Sequence, residues 1–391
     1  MNNTTNTPIF SSTGTSNRIG FEWGTSNPTL SLVKSAIANN EMTYHIPRDG
    51  GIKPSSIFFD EIVVGTVALA YWGGVLGPNG RLYCIPYNAT QVLEVDLLAK
   101  TTSSFGTLNS PATSSKWAGG VLAPDGKIYC APRIATWVLE IDPIKKTTVE
   151  YAHVGGTYNG AVLADNGKVY FIPYTTTSGN VMEFDPITKQ MVTFGNVGTT
   201  LFNGGVLAPN GKIYCIPYSA DLFGVIDPDN KTIKTVVSAA SSASNSRYSG
   251  GVLAPNGKIY CVPFNGSEVL VIDPLSDTSY EFGNLSTSTG KWAGGFLGSD
   301  GYIYCVPDDA KNGTTGISQI LKINWFLDTL EIIEIPNSIV PGGQSSSFQG
   351  GLMTPYGFGV GVPSSNDGVL ILNLNLGISD NIALSNVFNK Y

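Results

Sequence analysis

Short runs of alternating apolar and polar residues recur along the chain, each bounded by a turn signal. Residues 127–131, KIYCA, form such a run behind the turn Pro124-Asp125-Gly126. Proline sets φ at its turn position, and glycine supplies the positive φ that the turn then needs. Around this run the sequence predicts four strands, over residues 118–122, 127–131, 137–141 and 147–151. The third ends at Asp142-Pro143, and the fourth is β-branched and aromatic. No segment carries a helical period.

The same pattern returns seven times. Variants of GGVLAPNGKIYCIP begin at Gly73, Gly119, Gly160, Gly204, Gly250, Gly294 and Gly350, spaced 46, 41, 44, 46, 44 and 56 residues apart. The turn glycines Gly80, Gly126, Gly167, Gly211, Gly257, Gly301 and Gly357 are each followed six residues later by a proline. No insertion falls inside the phrase, so it reads as one rigid hairpin. Four strands per repeat of about 45 residues, joined by tight turns, predict an all-β fold: a seven-bladed β-propeller with four-stranded blades. The Gly-Gly pair suits the innermost strand, where blades crowd at the axis.

A propeller has to close its ring. Residues 57–65, IFFDEIVVG, stand where a fourth strand would precede the first Gly-Gly and are expected to complete the seventh blade. The competing donor is the C-terminal stretch 381–388. The domains expected are an extended N-terminal arm over 1–56 and the propeller over 57–391. The arm sprinkles Ile9, Phe10, Phe21 and Trp23 through Thr, Ser and Asn. It would anchor the chain to a larger assembly, or lie across the propeller's own surface.

Composition narrows the function. Charged residues are 13% of 391, against about 25% in an ordinary domain, so the surface is largely Ser, Thr, Asn and Gly. A net charge of -7 argues against a nucleic-acid groove, which needs clustered basic residues. The longest uncharged apolar stretch, 62–76, is too short and too glycine-rich for membrane insertion. Residues 1–17 show no basic region followed by an apolar one, so no signal peptide is expected. The five cysteines, Cys84, Cys130, Cys215, Cys261 and Cys305, all lie four residues after a turn glycine, where Phe171 and Gly361 stand in the other repeats. A slot shared by Cys, Phe and Gly is a packing position. Reduced thiols and cytoplasmic synthesis are expected.

Reactive residues are few. The histidines are His45 and His153, and no motif for a metalloprotease, hydrolase or nucleotide-binding loop occurs. Asp96, Asp142, Asp185, Asp227 and Asp273 recur at the end of the third strand, where a carboxylate starts a turn. Glu94, Glu140 and Glu183, two residues earlier, give way to Val225 and Val271 in later repeats, unlike a catalytic ring. No metal or cofactor is expected.

The aromatic residues are more informative. Tyr71, Trp117, Tyr158, Phe202, Tyr248, Trp292 and Phe348 each stand two residues before a first glycine, at the rim of the central funnel. They either pack between blades or contact a ligand. Tyr87, Tyr174, Tyr218 and Phe264 follow the hairpin proline, with Arg133, Asp308 and Ser364 at that place elsewhere. Aromatic faces with a few polar groups suit sugar rings. Positions that differ between repeats are the better ligand candidates: Trp72, Arg133, Trp137, Asp308 and Asp309, with Trp117 and Trp292 from the shared ring.

The phrase L-x-P-[ND]-G-[KR]-[IL]-Y, followed by an [IV]-D-P turn, resembles the propeller repeats of the virginiamycin B lyase and gluconolactonase-like superfamily. That resemblance implies a propeller hosting a lyase, a lactonase or a pure binding module. Lyases of that family use a histidine-centred site with a divalent metal, and neither His45 nor His153 falls in a matching repeat position. The hydroxyl-rich arm, near-identical repeats and missing signal are similar in style to bacteriophage particle proteins. The expectation is therefore a non-enzymatic propeller in a virion, made in the cytoplasm. Its arm would hold other virion subunits, and its face would meet a host glycan or another subunit. The alternatives are a metal-dependent lyase or lactonase and an intracellular scaffold.

Overall fold

The computed structural model describes residues 33–37, 40–44, 56–64, 69–109, 114–153, 155–174, 179–219, 221–240, 246–340 and 347–375. Each repeat folds as a four-stranded antiparallel sheet, and there are seven such sheets. The second blade runs Trp117–Leu122, Ile128–Pro132, Trp137–Asp142 and Thr147–Ala152, within a residue of the boundaries expected. No helix occurs among the described residues. In the seventh blade, Phe348–Met353, Phe358–Pro363 and Gly368–Asn375 are joined by Ser56–Val63 as the outermost strand. Eight residue pairs, from Ser56 opposite Asn375 to Val63 opposite Gly368, close the ring. The donor is thus the N-terminal segment. Earlier in the chain, Val33–Ile37 and Asn40–Tyr44 pair as a hairpin. Ile9, Phe10, Phe21, Trp23 and His45 lie outside the described residues.

The Gly-Gly pair has two separate jobs. Every inner hairpin pairs its leading aromatic with the proline, as Tyr71 with Pro86, then gains one residue before Gly74 meets Cys84. The extra residue is a bulge, and its glycine takes φ between 76° and 99° in all seven blades. A Cβ built on any of these first glycines would lie 2.6–3.5 Å from the Cα of the equivalent glycine in the next blade. The contacts run from Gly73 through Gly119, Gly160, Gly204, Gly250 and Gly294 to Gly350, and back to Gly73. The second glycine meets side chains in several blades, as Gly74 meets Leu82 and Val362, and Ala161 replaces it in the third blade.

Between blades, the second and third strands bury their side chains in a series of apolar clusters. The Tyr of each Tyr-Cys pair is fully buried, and in three blades its hydroxyl reaches across the junction. Tyr83, Tyr214 and Tyr260 donate to the carbonyls of Pro143, Pro274 and Trp325 in the following blade, at 2.9–3.1 Å. The vanishing glutamates belong to the same device. Glu94, Glu140 and Glu183 are buried and receive Lys146, Lys189 and Lys231 from the next blade at 2.6, 2.9 and 3.1 Å. Burial pushes the Glu140 carboxyl up, but hydrogen bonds from Lys127, Lys189 and Tyr151 outweigh it and hold it below its ordinary range. Where Val225 replaces the glutamate, the next blade offers Asp277 in place of lysine, and the Tyr214 hydroxyl donates to it at 2.6 Å. The aspartates ending the third strands accept backbone N–H bonds two and three residues on, as Asp142 does from Ile144 and Lys145.

All five cysteines are free and buried, and burial pushes every thiol well above its ordinary pKa. Only a thiolate reacts quickly with disulfide reagents. Titration of the native chain should therefore find almost no reactive thiol, and denaturation should release all five; a disulfide seen by non-reducing mass spectrometry would contradict this.

Candidate functional site

One face of the ring carries the turns from second to third strand and the links from each blade to the next. The residues after the hairpin prolines form a circle there: Tyr87, Arg133, Tyr174, Tyr218, Phe264, Asp308 and Ser364. Backbone bonds hold the circle, because the carbonyls of Tyr87, Tyr218, Phe264 and Asp308 accept from the amides of Lys116, Arg247, Lys291 and Ser347 in the following blades.

Trp72 and Arg133, expected as ligand candidates, are brought together. The Trp72 and Tyr87 rings lie 4.9 Å apart at their centroids. The Arg133 guanidinium carbon sits 4.3 Å from the centroid of Tyr174, 5.2 Å from Trp72 and 5.7 Å from Tyr87. Tyr174 continues to Tyr218 at 5.5 Å. A belt of four rings, three of them around one cation, thus spans blades one to four. Burial pushes the Tyr174 phenol up, and the Arg133 charge partly offsets the shift. Trp72, Arg133, Tyr174 and Tyr218 keep part of their surface open.

The other candidates lie elsewhere. Asp308 is buried, accepts from Gln349 Nε2 at 2.7 Å, and belongs to the sixth blade, far around the circle. Asp309 beside it is ion-paired with Lys311. Trp137 begins a third strand, and its carbonyl accepts from the Trp117 indole at 2.7 Å. Trp117 and Trp292 are buried at 0% and 3% exposure, so of the two roles open to the shared aromatic ring they take packing between blades.

Sequence reasoning passed over the residues between each leading aromatic and the first glycine, apart from Trp72. They are Ala118, Asn159, Asn203, Ser249, Ala293 and Gln349, and all are buried near the axis. Asn203 Nδ2 donates to Ser249 Oγ in the next blade at 3.1 Å. Asn159 Nδ2 and Ser364 Oγ are buried without a partner. The available signal was variation beside an invariant Gly.

Three buried cations flank the circle. Arg247 pairs with Asp221 and Glu281 at 3.0 and 3.1 Å. Lys116 donates to the Asn88 carbonyl, and Lys291 to that of Ser288. Burial pushes the Lys291 ammonium down to about 8. His153 faces the carbonyls of Ala135 and Gly155 with its two nitrogens, and burial pushes its pKa down. Among the described residues no three His, Cys, Asp or Glu side chains gather as metal ligands. A separate cleft of about 570 Å³, lined by Ile57, Phe59, Tyr302, Lys322 and Glu331, opens between the outer strands of blades six and seven, away from the belt.

No family model and no curated protein sequence matches the chain. Solved structures do. Virginiamycin B lyase from Staphylococcus aureus superposes with a TM-score of 0.67 over 81% of this chain and 99% of its own, at 13% identity. The fold is a seven-bladed β-propeller similar to that of virginiamycin B lyase. A streptogramin B lyase gives the same TM-score, 0.67, at 12% identity over 81% of this chain and 97% of its own. YCF48, solved bound to D1 peptide, matches at 0.59 and 10% identity, over 89% of this chain and 99% of its own. Likeness at such identities concerns the fold, since propellers host lyases and binding modules alike.

Proposed function

We propose that this chain is a non-enzymatic recognition propeller whose loop-bearing face binds a saccharide, carried on a virus particle such as a bacteriophage tail or capsid. The observation that supports it most is the Arg133 cluster: the rings of Trp72, Tyr87 and Tyr174 around one cation, assembled from three successive blades and partly open at Trp72, Arg133 and Tyr174. Sugars present apolar C–H patches to aromatic faces and hydroxyls to polar groups. The particle setting rests on composition: a surface poor in charge and rich in hydroxyls, with free buried thiols as in a protein made in a reducing compartment. The N-terminal arm would then join other particle subunits.

The test pairs two tryptophans. On a glycan panel the full chain should bind a defined subset of saccharides. Trp72→Ala should weaken that binding by about 1–3 kcal/mol, as for a contact residue, with little change in melting temperature. Trp117→Ala should cost roughly 3–5 kcal/mol of stability as a buried aromatic, and folded protein should still bind. Metal-dependent turnover of a lactone or cyclic ester, lost on changing His153, would replace this reading with an enzyme. Absence of the chain from purified particles of the virus encoding it would remove the particle setting.

A further inference from the structure

Resting on that reading, we propose that the saccharide carries a carboxylate, held by Arg133 while an apolar sugar face lies on the adjoining rings. Among the described residues most cations are ion-paired within the fold, and the buried Lys116 and Lys291 donate to backbone carbonyls instead. Arg81 pairs with Glu94 and Asp96, Lys127 and Lys189 with Glu140, and Arg247 with Asp221 and Glu281. Arg133 departs from this pattern. Among the described residues no carboxylate pairs with it, its neighbours are the rings of Trp72, Tyr87 and Tyr174, and its Nη1 is buried without a hydrogen-bond partner.

Aromatic rings stabilise a guanidinium through their faces, and the Tyr174 hydroxyl can accept from one of its N–H groups, but Nη1 is left without an acceptor. The rings also displace water, so an anion reaching this cation gains more than one at an exposed lysine. Two further groups near the belt await an acceptor. Asn159, 2% exposed, has an unpartnered Nδ2 and is the second residue of the inner strand of the blade that supplies Tyr174. Ser364, 1% exposed, has an unpartnered Oγ and takes the Arg133 position in the blade beside Trp72 and Tyr87. Unused donors therefore stand in the third and seventh blades, on either side of the blades that supply Trp72, Tyr87 and Arg133.

The Tyr174 ring centroid lies 4.3 Å from the guanidinium carbon, and Arg133 keeps part of its surface open. A planar carboxylate meets a guanidinium edge with two parallel hydrogen bonds. With a net charge of -7 the chain as a whole does not attract polyanions, so recognition falls to this local cation, one acid group at a time.

The experiment is titration calorimetry on the full chain with an oligogalacturonate and a sialylated oligosaccharide, each as free acid and as methyl ester, plus a sulfated oligosaccharide of similar length. At least one acid should bind, and its ester should bind about tenfold or more weaker, the range of a charged hydrogen bond. R133Q should lower the acid's affinity to the range of the ester and cost the ester much less, with its fold checked by thermal melting. R133K, which keeps the charge and loses the fork, should fall between. If Arg133 simply stapled three blades, R133Q would lower the melting temperature, and wild type would bind acid and ester equally. An ester bound as tightly as its acid, or an acid whose affinity survives R133Q, overturns the proposal. Equal binding of the sulfated probe overturns the carboxylate in favour of any oxyanion. Neutral saccharides binding on the glycan panel without either acid binding would defeat this inference alone, whereas no saccharide binding at all would defeat the recognition reading with it.

Discussion

A chain lacking residues 1–65 should melt far below one lacking only residues 1–50. Ser56–Val63 is the outermost strand of the seventh blade, antiparallel to Gly368–Asn375 over its whole length. Ile62 is 3% exposed and packs in one cluster with Leu82, Val95, Val369 and Ile371, so it ties the seventh blade to the first. Ile57 and Phe59 pack on a second cluster, containing Phe296, Leu370 and Leu372, which ties it to the sixth. Truncating one buried isoleucine to alanine costs about 2–5 kcal/mol, and the longer deletion removes this residue, two further apolar anchors and the ladder together. It also turns Gly368–Asn375 into an exposed edge, an invitation to aggregate. The shorter deletion takes away the hairpin and leaves the ladder intact. Circular dichroism melts of the two truncations check this; equal midpoints would mean that the N-terminal strand does not hold the ring.

Gly294→Ala should be the most damaging single-methyl change in the chain. Its φ is 79°, and an added Cβ would lie 2.6 Å from the Gly350 Cα, 3.0 Å from the Gly351 nitrogen and 3.1 Å from the Gly350 nitrogen. All three are backbone atoms of the next blade, so no flexible side chain can yield. Left-handed strain alone costs about 1–3 kcal/mol, and the inner strands must also move apart around a closed ring. Gly257→Ala is the control. It has the same φ of 79° but nothing within 4 Å of the added Cβ, so only the backbone strain remains, roughly 1 kcal/mol. Denaturant unfolding of both variants separates the two terms. Equal losses would show that the axial contacts bear no weight.

The repeat, its four strands and the packing role of the cysteines could be read directly from residues. They depend on local alternation, on turn φ preferences and on substitution of Cys by Phe and Gly at one slot. The turn role of Asp142 and its equivalents was legible for the same reason, since the bonds it accepts lie two and three residues away. The fading of Glu94, Glu140 and Glu183 into valine was visible, but its cause was not. The compensating residue, Lys189 or Asp277, belongs to the next blade and answers a carboxylate or tyrosine hydroxyl about one repeat earlier.

Half of the candidate site was legible in the same sense. Variation between repeats pointed to Trp72 and Arg133, and they meet. The same criterion also selected Asp308, Asp309 and Trp137, which do not join them, because variation marks a position as free of the shared fold without saying where it faces. Asn159 and Ser364 went unnoticed, since an unpartnered buried donor is defined by what surrounds it. The sequence by itself determined the blade: which residues extend, where each hairpin turns and how many copies follow. Tertiary structure alone decided the ring, namely which end closes it, which glycines touch across the axis and which rings enclose Arg133. Strand alternation and turns are settled within a few residues of backbone, whereas contacts between blades depend on the position each sheet takes once all seven have closed.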